Sequence, residues 1–311
     1  MEFINIILSA GKSAVDIALF VVLPIMVISM VLMSILEKVG LMNWLVAKLV
    51  PLLRPMGLTG LSVFALLQVS FVSFAAPVAT LAIMDKRGVS QRHLASTFAM
   101  VLAMGQANAS FPLVPLGLDI GWFLLISLFG GLIASIATYY LLCRGLPAND
   151  IRPEEDISYR SLDSSTGILA VINAAGGEAF KLAVGVIPML ALALLCIAVI
   201  KNVGGFALVE MGLAPLLHAL NVSTDIVVPT LTKFVAGGTA LLGLLLEMHG
   251  SGQIDSHFLN ASSGWLIHTL DLSGVAIMMS SGPRLAAVWK QAVIGGAAGI
   301  VVRTVLQVAL A

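Results

Sequence analysis

Lys233 stands in VPTLTKFVAGGTALLGLLLEM, Val228 to Met248, four residues before the pair Gly237-Gly238 and in otherwise mostly apolar company. A charge at the centre of a membrane helix costs at least about 2.5–3.5 kcal/mol, so this lysine calls for a partner or a wet cavity. The matching anion is Asp271 in IHTLDLSG, the only carboxylate deep within its predicted helix, and aspartate is too short to snorkel to the headgroups. Together they offer an internal cation, held by a counter-ion while the site is empty, that answers an anionic group or replaces a coupling ion. Uncharged polar groups gather around the same depth. Gln68, Ser70 and Ser73 precede Pro77, and Gln106, Asn108 and Ser110 lie in GQANASFP. Thr232 and Thr239 flank Lys233, and Ser273 follows Asp271. Hydroxyls and amides in membrane helices also bond neighbouring helices, at about 0.6 kcal/mol each. The cluster says more than any member: nine such positions, eleven with Lys233 and Asp271, at one depth suit a small polar solute.

Other chemistries lack their residues. There is no GxxxxGK phosphate loop, no nucleophile elbow and no HExxH, so neither nucleotide hydrolysis nor another enzymatic activity is expected. Cys143 and Cys196 are too few and too separated for a metal cluster, and His218, His249 and His268 share no ligand spacing. His93 and His257 follow the polar breaks by a few residues and are expected at the membrane interface. No metal or organic cofactor is expected. Net charge is zero and no basic block occurs, which excludes a nucleic-acid partner.

The elements that must position these residues lie in lipid. Of 311 residues, 59% are hydrophobic and only 10% charged, with mean hydropathy +1.06; soluble domains carry about 25% charged residues. Apolar runs such as Ala14–Leu36, Trp122–Leu142 and Leu182–Ile200 each suffice to cross a core of about 30 Å. Lys12 is the only early cation, and the run after it is too long for a signal-peptide core.

A polar, proline-containing stretch near Arg144–Thr166 divides two halves that match at a constant offset of 164 residues. Pro24 meets Pro188, Gly40 meets Gly204, Pro51 meets Pro215, Gly88 meets Gly252 and His93 meets His257. Internal duplication of this kind is a signature of transporter folds. Each half reads as a long helix (Ala14–Leu36; Ala179–Ile200), an interfacial amphipathic segment (MNWLVAKLVPLL; FALVEMGLAPLL) and an apolar stretch broken at SFVSFAAP or FVAGG. A helix rich in small and polar residues follows (Arg92–Ser110; Ser256–Ser280), interrupted near Phe111-Pro112 or Gly282-Pro283, where Ser280 and Ser281 gather. A last long helix closes the half (Leu118–Leu142; Leu285–Leu310).

Charge decides how the broken stretch is threaded. As a re-entrant hairpin it leaves three full crossings per half, and the halves become inverted. Lys38, Lys48, Arg54, Lys86, Arg87, Arg92, Arg144, Arg152, Arg160, Lys181, Arg284 and Lys290 then share one face, with Lys12, Lys201 and Arg303 opposite. The positive-inside rule makes the crowded face cytoplasmic and both termini periplasmic. The expected fold is an all-α membrane protein of two inverted repeats, each with three transmembrane helices, an interfacial helix and a re-entrant hairpin. Residues 1–143 form the first repeat, 144–168 a cytoplasmic linker and 169–311 the second repeat.

The stretch VLPIMVISMVLMSILEKVGLMNWLVAKLVPLLRPMGLTG and its second copy resemble the Gate, or nucleoside-recognition, module of concentrative nucleoside transporters, ferrous-iron transporter membrane domains and spore maturation proteins. LTKFVAGGTALL is similar to the second hairpin of the nucleoside transporters. The resemblance implies cation-coupled uptake, by sodium or protons, through an elevator-like movement, with solute held between hairpin tips and broken helices. By position it places Gln68, Ser70, Asn108, Thr232, Lys233 and Asp271 in that role. The chain departs from the nucleoside transporters by lacking the intramembrane glutamates that grip a ribose and by carrying Lys233. The expectation is a secondary transporter of a small polar organic solute, nucleoside-like or anionic, in the bacterial inner membrane, with lipid as its surroundings and a second copy as a homo-oligomeric partner. The alternative is a non-transporting Gate-type scaffold or regulatory protein. An iron permease would want cysteines near the hairpins, where neither Cys143 nor Cys196 lies.

Overall fold

The structure is a computed structural model that describes residues 2–148, 167–202 and 223–311. Most of the linker, the FALVEMGLAPLL segment and His218 therefore lie outside the described residues. What is described is helical throughout. The first long helix runs as α1 (Glu2–Asp16), a π-helical stretch Ile17–Val22 and α2 (Leu23–Lys38), and is longer than the predicted Ala14–Leu36. Gly40, at φ 80°, turns the chain into α3 (Leu41–Leu53), the expected amphipathic helix.

Two helical hairpins are formed among the described residues. The first is α4 (Gly60–Phe71) and α5 (Pro77–Arg87), its tip at Val72–Ala76. Thr59 caps it reciprocally with Ser62, accepting from Ser62 N at 3.3 Å while Ser62 Oγ accepts from Thr59 N at 3.0 Å; this satisfies two of the orphan N–H groups of a helix start. The second is α10 (Val227–Ala236) and α11 (Gly238–Gly250), whose tip is the single residue Gly237 at φ 87°. Each hairpin ends on a left-handed glycine, Gly88 at φ 75° and Gly252 at φ 73°, a conformation a side chain would strain. These two glycines are 164 residues apart, the offset read from the sequence.

After each hairpin comes a helix that breaks. In the first half, α6 (Gln91–Ala103) stops, Met104–Gln106 is extended, and α7 (Ala107–Ser110) passes into a 3-10 stretch, Phe111–Leu116. In the second, α12 (Ser256–Leu266) unwinds through Ile267–Asp271 before α13 (Leu272–Met279). The main interruptions thus precede those expected at Phe111-Pro112 and Gly282-Pro283. Pro112 sits where its missing N–H does no harm, in the first turn of a new stretch. Pro283 likewise starts the short helix α14 (Pro283–Ala287). Asp271 correspondingly stands at the break, capping α13, and not within a helix.

The closing helices are α8 (Ile120–Ile136), continued by a π-helical stretch to Leu142, and α15 (Trp289–Leu310). Between them lies α9 (Ile168–Asn202), which begins at the end of the expected linker and packs along α1 and α2. The helix α15 packs against α6, α8 and α12, and glycines make that possible. A Cβ at Gly299 would stand 2.4 Å from the Gly130 carbonyl oxygen, and one at Gly295 1.8 Å from Thr138 Oγ1. Small residues at crossings are how membrane helices approach closely.

The solvent is legible in the surface. Phe20, Leu125, Phe129, Ile294, Val301, Val305 and Val308 are exposed, whereas Ser62, Thr97, Ser127, Ser135 and Thr138 are fully buried. Such inversion of the usual pattern fits a lipid exterior. Among the described residues Gln91–Leu116, Ile120–Leu142 and Trp289–Leu310 are each long and apolar enough to span, and the bent pair Trp44–Met56 and Gly60–Phe71 adds a fourth if it is one span. The protein is an all-α, multi-pass membrane protein.

Candidate functional site

The site grows from helix ends. At the C-terminus of α6 the last carbonyls lose their intrahelical partners, and side chains from the other half supply new ones. Thr269 Oγ1 donates to the Val101 carbonyl, and Arg303 Nη1 donates to that of Ala103. The freed N–H of Gly105 donates to Ser127 Oγ at 2.7 Å. Gln106, next in the break, donates from Nε2 to the His268 carbonyl at 3.2 Å, so the two interruptions are bonded to each other.

Lys233 lies in the last turn of α10, and Asp271 is the N-cap of α13. A cation near a C-terminus and an anion at an N-terminus both suit the helix dipole. Lys233 Nζ donates to Asp271 Oδ2, with the lysine 0% and the aspartate 6% exposed. Asp271 Oδ1 accepts from Gly274 N at 2.7 Å and from Ser273 Oγ at 2.8 Å, so the carboxylate is fully engaged. The tip of the second hairpin rests on this group. A Cβ on Gly237 would stand 3.0 Å from Ser273 Oγ, and one on Gly238 would overlap Gln106 Nε2 at 2.0 Å. The first tip is held similarly: Phe74 N donates to Asn108 Oδ1 at 3.2 Å.

Seven of the residues singled out from sequence therefore meet at tips or breaks: Ser73, Gln106, Asn108, Lys233, Asp271, Ser273 and, next to the Gly237-Gly238 tip, the half-buried Thr239. Ser73 Oγ accepts from Ala76 N at 3.3 Å and closes the first tip. The others serve local structure. Gln68 Oε1 accepts from Thr80 Oγ1 at 2.7 Å within the first hairpin, and Ser70 is buried on the same helix. Thr232 Oγ1 donates to its own helix at Val228, and Ser110 Oγ to the Gln106 carbonyl at 3.1 Å.

Two residues were missed. His268 is fully buried in the second break, its Nδ1 accepting from Leu270 N at 3.1 Å and its Nε2 unpartnered. Its ring faces Phe234 at 5.7 Å, and Phe234 faces Trp265 at 5.6 Å. Arg303, expected on the outer face with Lys12 and Lys201, is instead 1% exposed beside the first break. The signal for it was a lone arginine in an apolar helix, GIVVRTVLQVAL. Among the described residues no group of three His, Cys, Asp or Glu could hold a metal.

Comparison with known proteins follows the same outline. Residues 19–121 match the Gate family, described as nucleoside recognition. No curated protein matches the chain. Among solved structures, 99% of this chain aligns with 84% of an outward-facing double variant of CNTnw at TM-score 0.68 and 18% identity. CNTnw in an inward-facing substrate-bound state aligns over 98% of this chain and 82% of that one, at TM-score 0.67 and 18% identity. A variant of CNTnw in an intermediate state gives 0.63 at 17% identity, over 98% and 84%. The chain thus has the fold of CNTnw, and its residues 19–121 match the Gate family within that fold.

Proposed function

We propose that this protein is a secondary transporter that carries a small polar organic solute, nucleoside-like or anionic, across the bacterial inner membrane. One observation carries the reading: two hairpin tips rest on two helix breaks, with a buried Lys233–Asp271 pair at the junction. Irregular backbone at membrane depth persists only where protein or a watery cavity surrounds it, and transporters place their binding sites there. The likeness to CNTnw, solved in inward-facing, outward-facing and intermediate states, supports a fold that alternates.

The halves are taken as inverted repeats, with residues 1–143 and 169–311 joined by a cytoplasmic linker and both termini periplasmic. Within the site each group has a role. Lys233 releases Asp271 to answer an acidic group or a polarised carbonyl of the solute. Asn108, Gln106 and Ser273 supply uncharged hydrogen bonds. Phe234, packed on Trp265 and His268, offers a face on which a planar ring stacks. Gln68, Ser70, Ser73, Ser110, Thr232 and Thr239 complete the shell behind the tips. Thermal melting of the purified chain against a panel of nucleosides and small organic anions tests the reading. A binder should raise the melting temperature of wild type and fail to raise that of Asn108→Ala. A folded protein stabilised by no member of either class would argue for the scaffold alternative.

A further inference from the structure

Arg303 poses an energetic problem that the solute site does not explain. Its guanidinium is buried inside a membrane helix bundle, and among the described residues no carboxylate pairs with it. An unneutralised charge at that depth is expensive. Two things compensate it. Nη1 donates to the Ala103 carbonyl at the C-terminal end of α6, the negative pole of that half-helix. The Phe123 ring lies 5.5 Å from Cζ, within cation–π range. The position is also built to fit the side chain. A Cβ at Gly130 would stand 2.1 Å from Arg303 Cγ, and one at Gly105, inside the break, 3.3 Å from Nη2.

Carbonyls at the C-terminal ends of broken helices are where secondary transporters coordinate a coupling sodium ion. Here such a carbonyl is already held by a covalently attached cation. The second C-terminal end at the site, that of α10, has Lys233 in its last turn. We infer that Arg303 is the built-in cation of the Met104–Gln106 break, taking the carbonyl a sodium ion would otherwise hold, so that the site forms without sodium. The inference rests on the transporter reading for its meaning but not for its test. It assigns Arg303 as a positioning residue: the guanidinium keeps the end of α6 in place while solute binds at the adjacent tip.

The test is the melting temperature of the full chain in lipid nanodiscs, titrated with sodium against potassium at constant ionic strength. Wild type is expected to melt at the same temperature in both. Arg303→Ala is expected to melt several degrees lower, with low concentrations of guanidinium restoring part of the loss. Arg303→Lys, which keeps a cation on a comparable reach, should fold and remain indifferent to sodium even if Arg303→Ala yields no folded protein. A saturable rise of the wild-type melting temperature with sodium would overturn the inference, as would an Arg303→Ala protein as stable as wild type and unresponsive to guanidinium. Melting requires no transport, so failure of vesicle uptake would count against the transporter reading alone.

Discussion

Removing Lys233 and Asp271 one at a time and then together should give strongly non-additive effects on stability. Both side chains are buried, so Lys233→Met leaves a carboxylate with its bonds to Ser273 and Gly274 but no counter-charge. Breaking a buried pair from one side costs about 3–5 kcal/mol. Asp271→Ala leaves the lysine uncompensated and also removes the cap of α13, adding about 0.5–2 kcal/mol. Asp271→Asn keeps an acceptor for Gly274 N, so it should be less damaging than Asp271→Ala by roughly that capping contribution. The double variant Lys233→Met/Asp271→Asn buries no charge at this point and keeps the cap. It should recover most of the loss: two single losses of about 3–5 kcal/mol each, against a double-variant loss smaller than either, leave a coupling energy of at least about 3 kcal/mol, at or above the upper end of the usual range. Equilibrium unfolding of the wild type and these four variants in one detergent, followed by circular dichroism, measures it. Additivity within about 0.5 kcal/mol would refute the reasoning, because the two charges would then not be compensating each other.

Gly238→Ala should damage folding or solute binding, since its methyl group would overlap Gln106 Nε2, and Gln106→Ala should suppress the defect; melting curves of the single and double variants check this. Single-cysteine labelling should find the 85–92 turn and the 144–168 linker on the same, cytoplasmic face and the 249–256 turn outside; the first two on opposite faces would end the inverted arrangement. Cys143, just past the end of its span, has its thiol pushed up to about 11 by burial despite the nearby Arg92 guanidinium. The reactive thiolate is therefore scarce at neutral pH, and maleimide labelling of Cys143 should be slow there and accelerate only as pH rises toward that value.

Much of this was legible because charge and glycine are conspicuous in an apolar chain. Lys233 and Asp271 stood out as solitary ions, and Gly237-Gly238 marked a tip that the structure forms at Gly237. The 164-residue offset located matching hairpin ends at Gly88 and Gly252. The helix breaks were less visible. Proline drew attention to Phe111-Pro112, yet proline is harmless in the first turn of a new helix, and the chain unwinds earlier, at Met104–Gln106. What stabilises that break is tertiary: Ser127, Thr269 and Arg303 arrive from three other segments to satisfy its backbone. Arg303 was misplaced for a related reason. Near the C-terminal end of its helix, an arginine reads as a headgroup anchor unless one knows that Gly130, on another helix, leaves room for it to turn inward. Hydroxyls split the same way, because nothing local distinguishes Thr232, bonded to its own helix, from Ser273, bonded to the aspartate.

Uptake by proteoliposomes tests the central claim most directly, namely that solute crosses at the junction of hairpin tips and helix breaks. Vesicles holding the wild-type chain should accumulate a labelled nucleoside or small organic anion above protein-free vesicles. Vesicles holding Asn108→Ala or Lys233→Met/Asp271→Asn, each confirmed as folded, should lose most of that uptake. Uptake by folded wild type no faster than by empty vesicles across the solute panel, or undiminished uptake by both variants, would contradict the account.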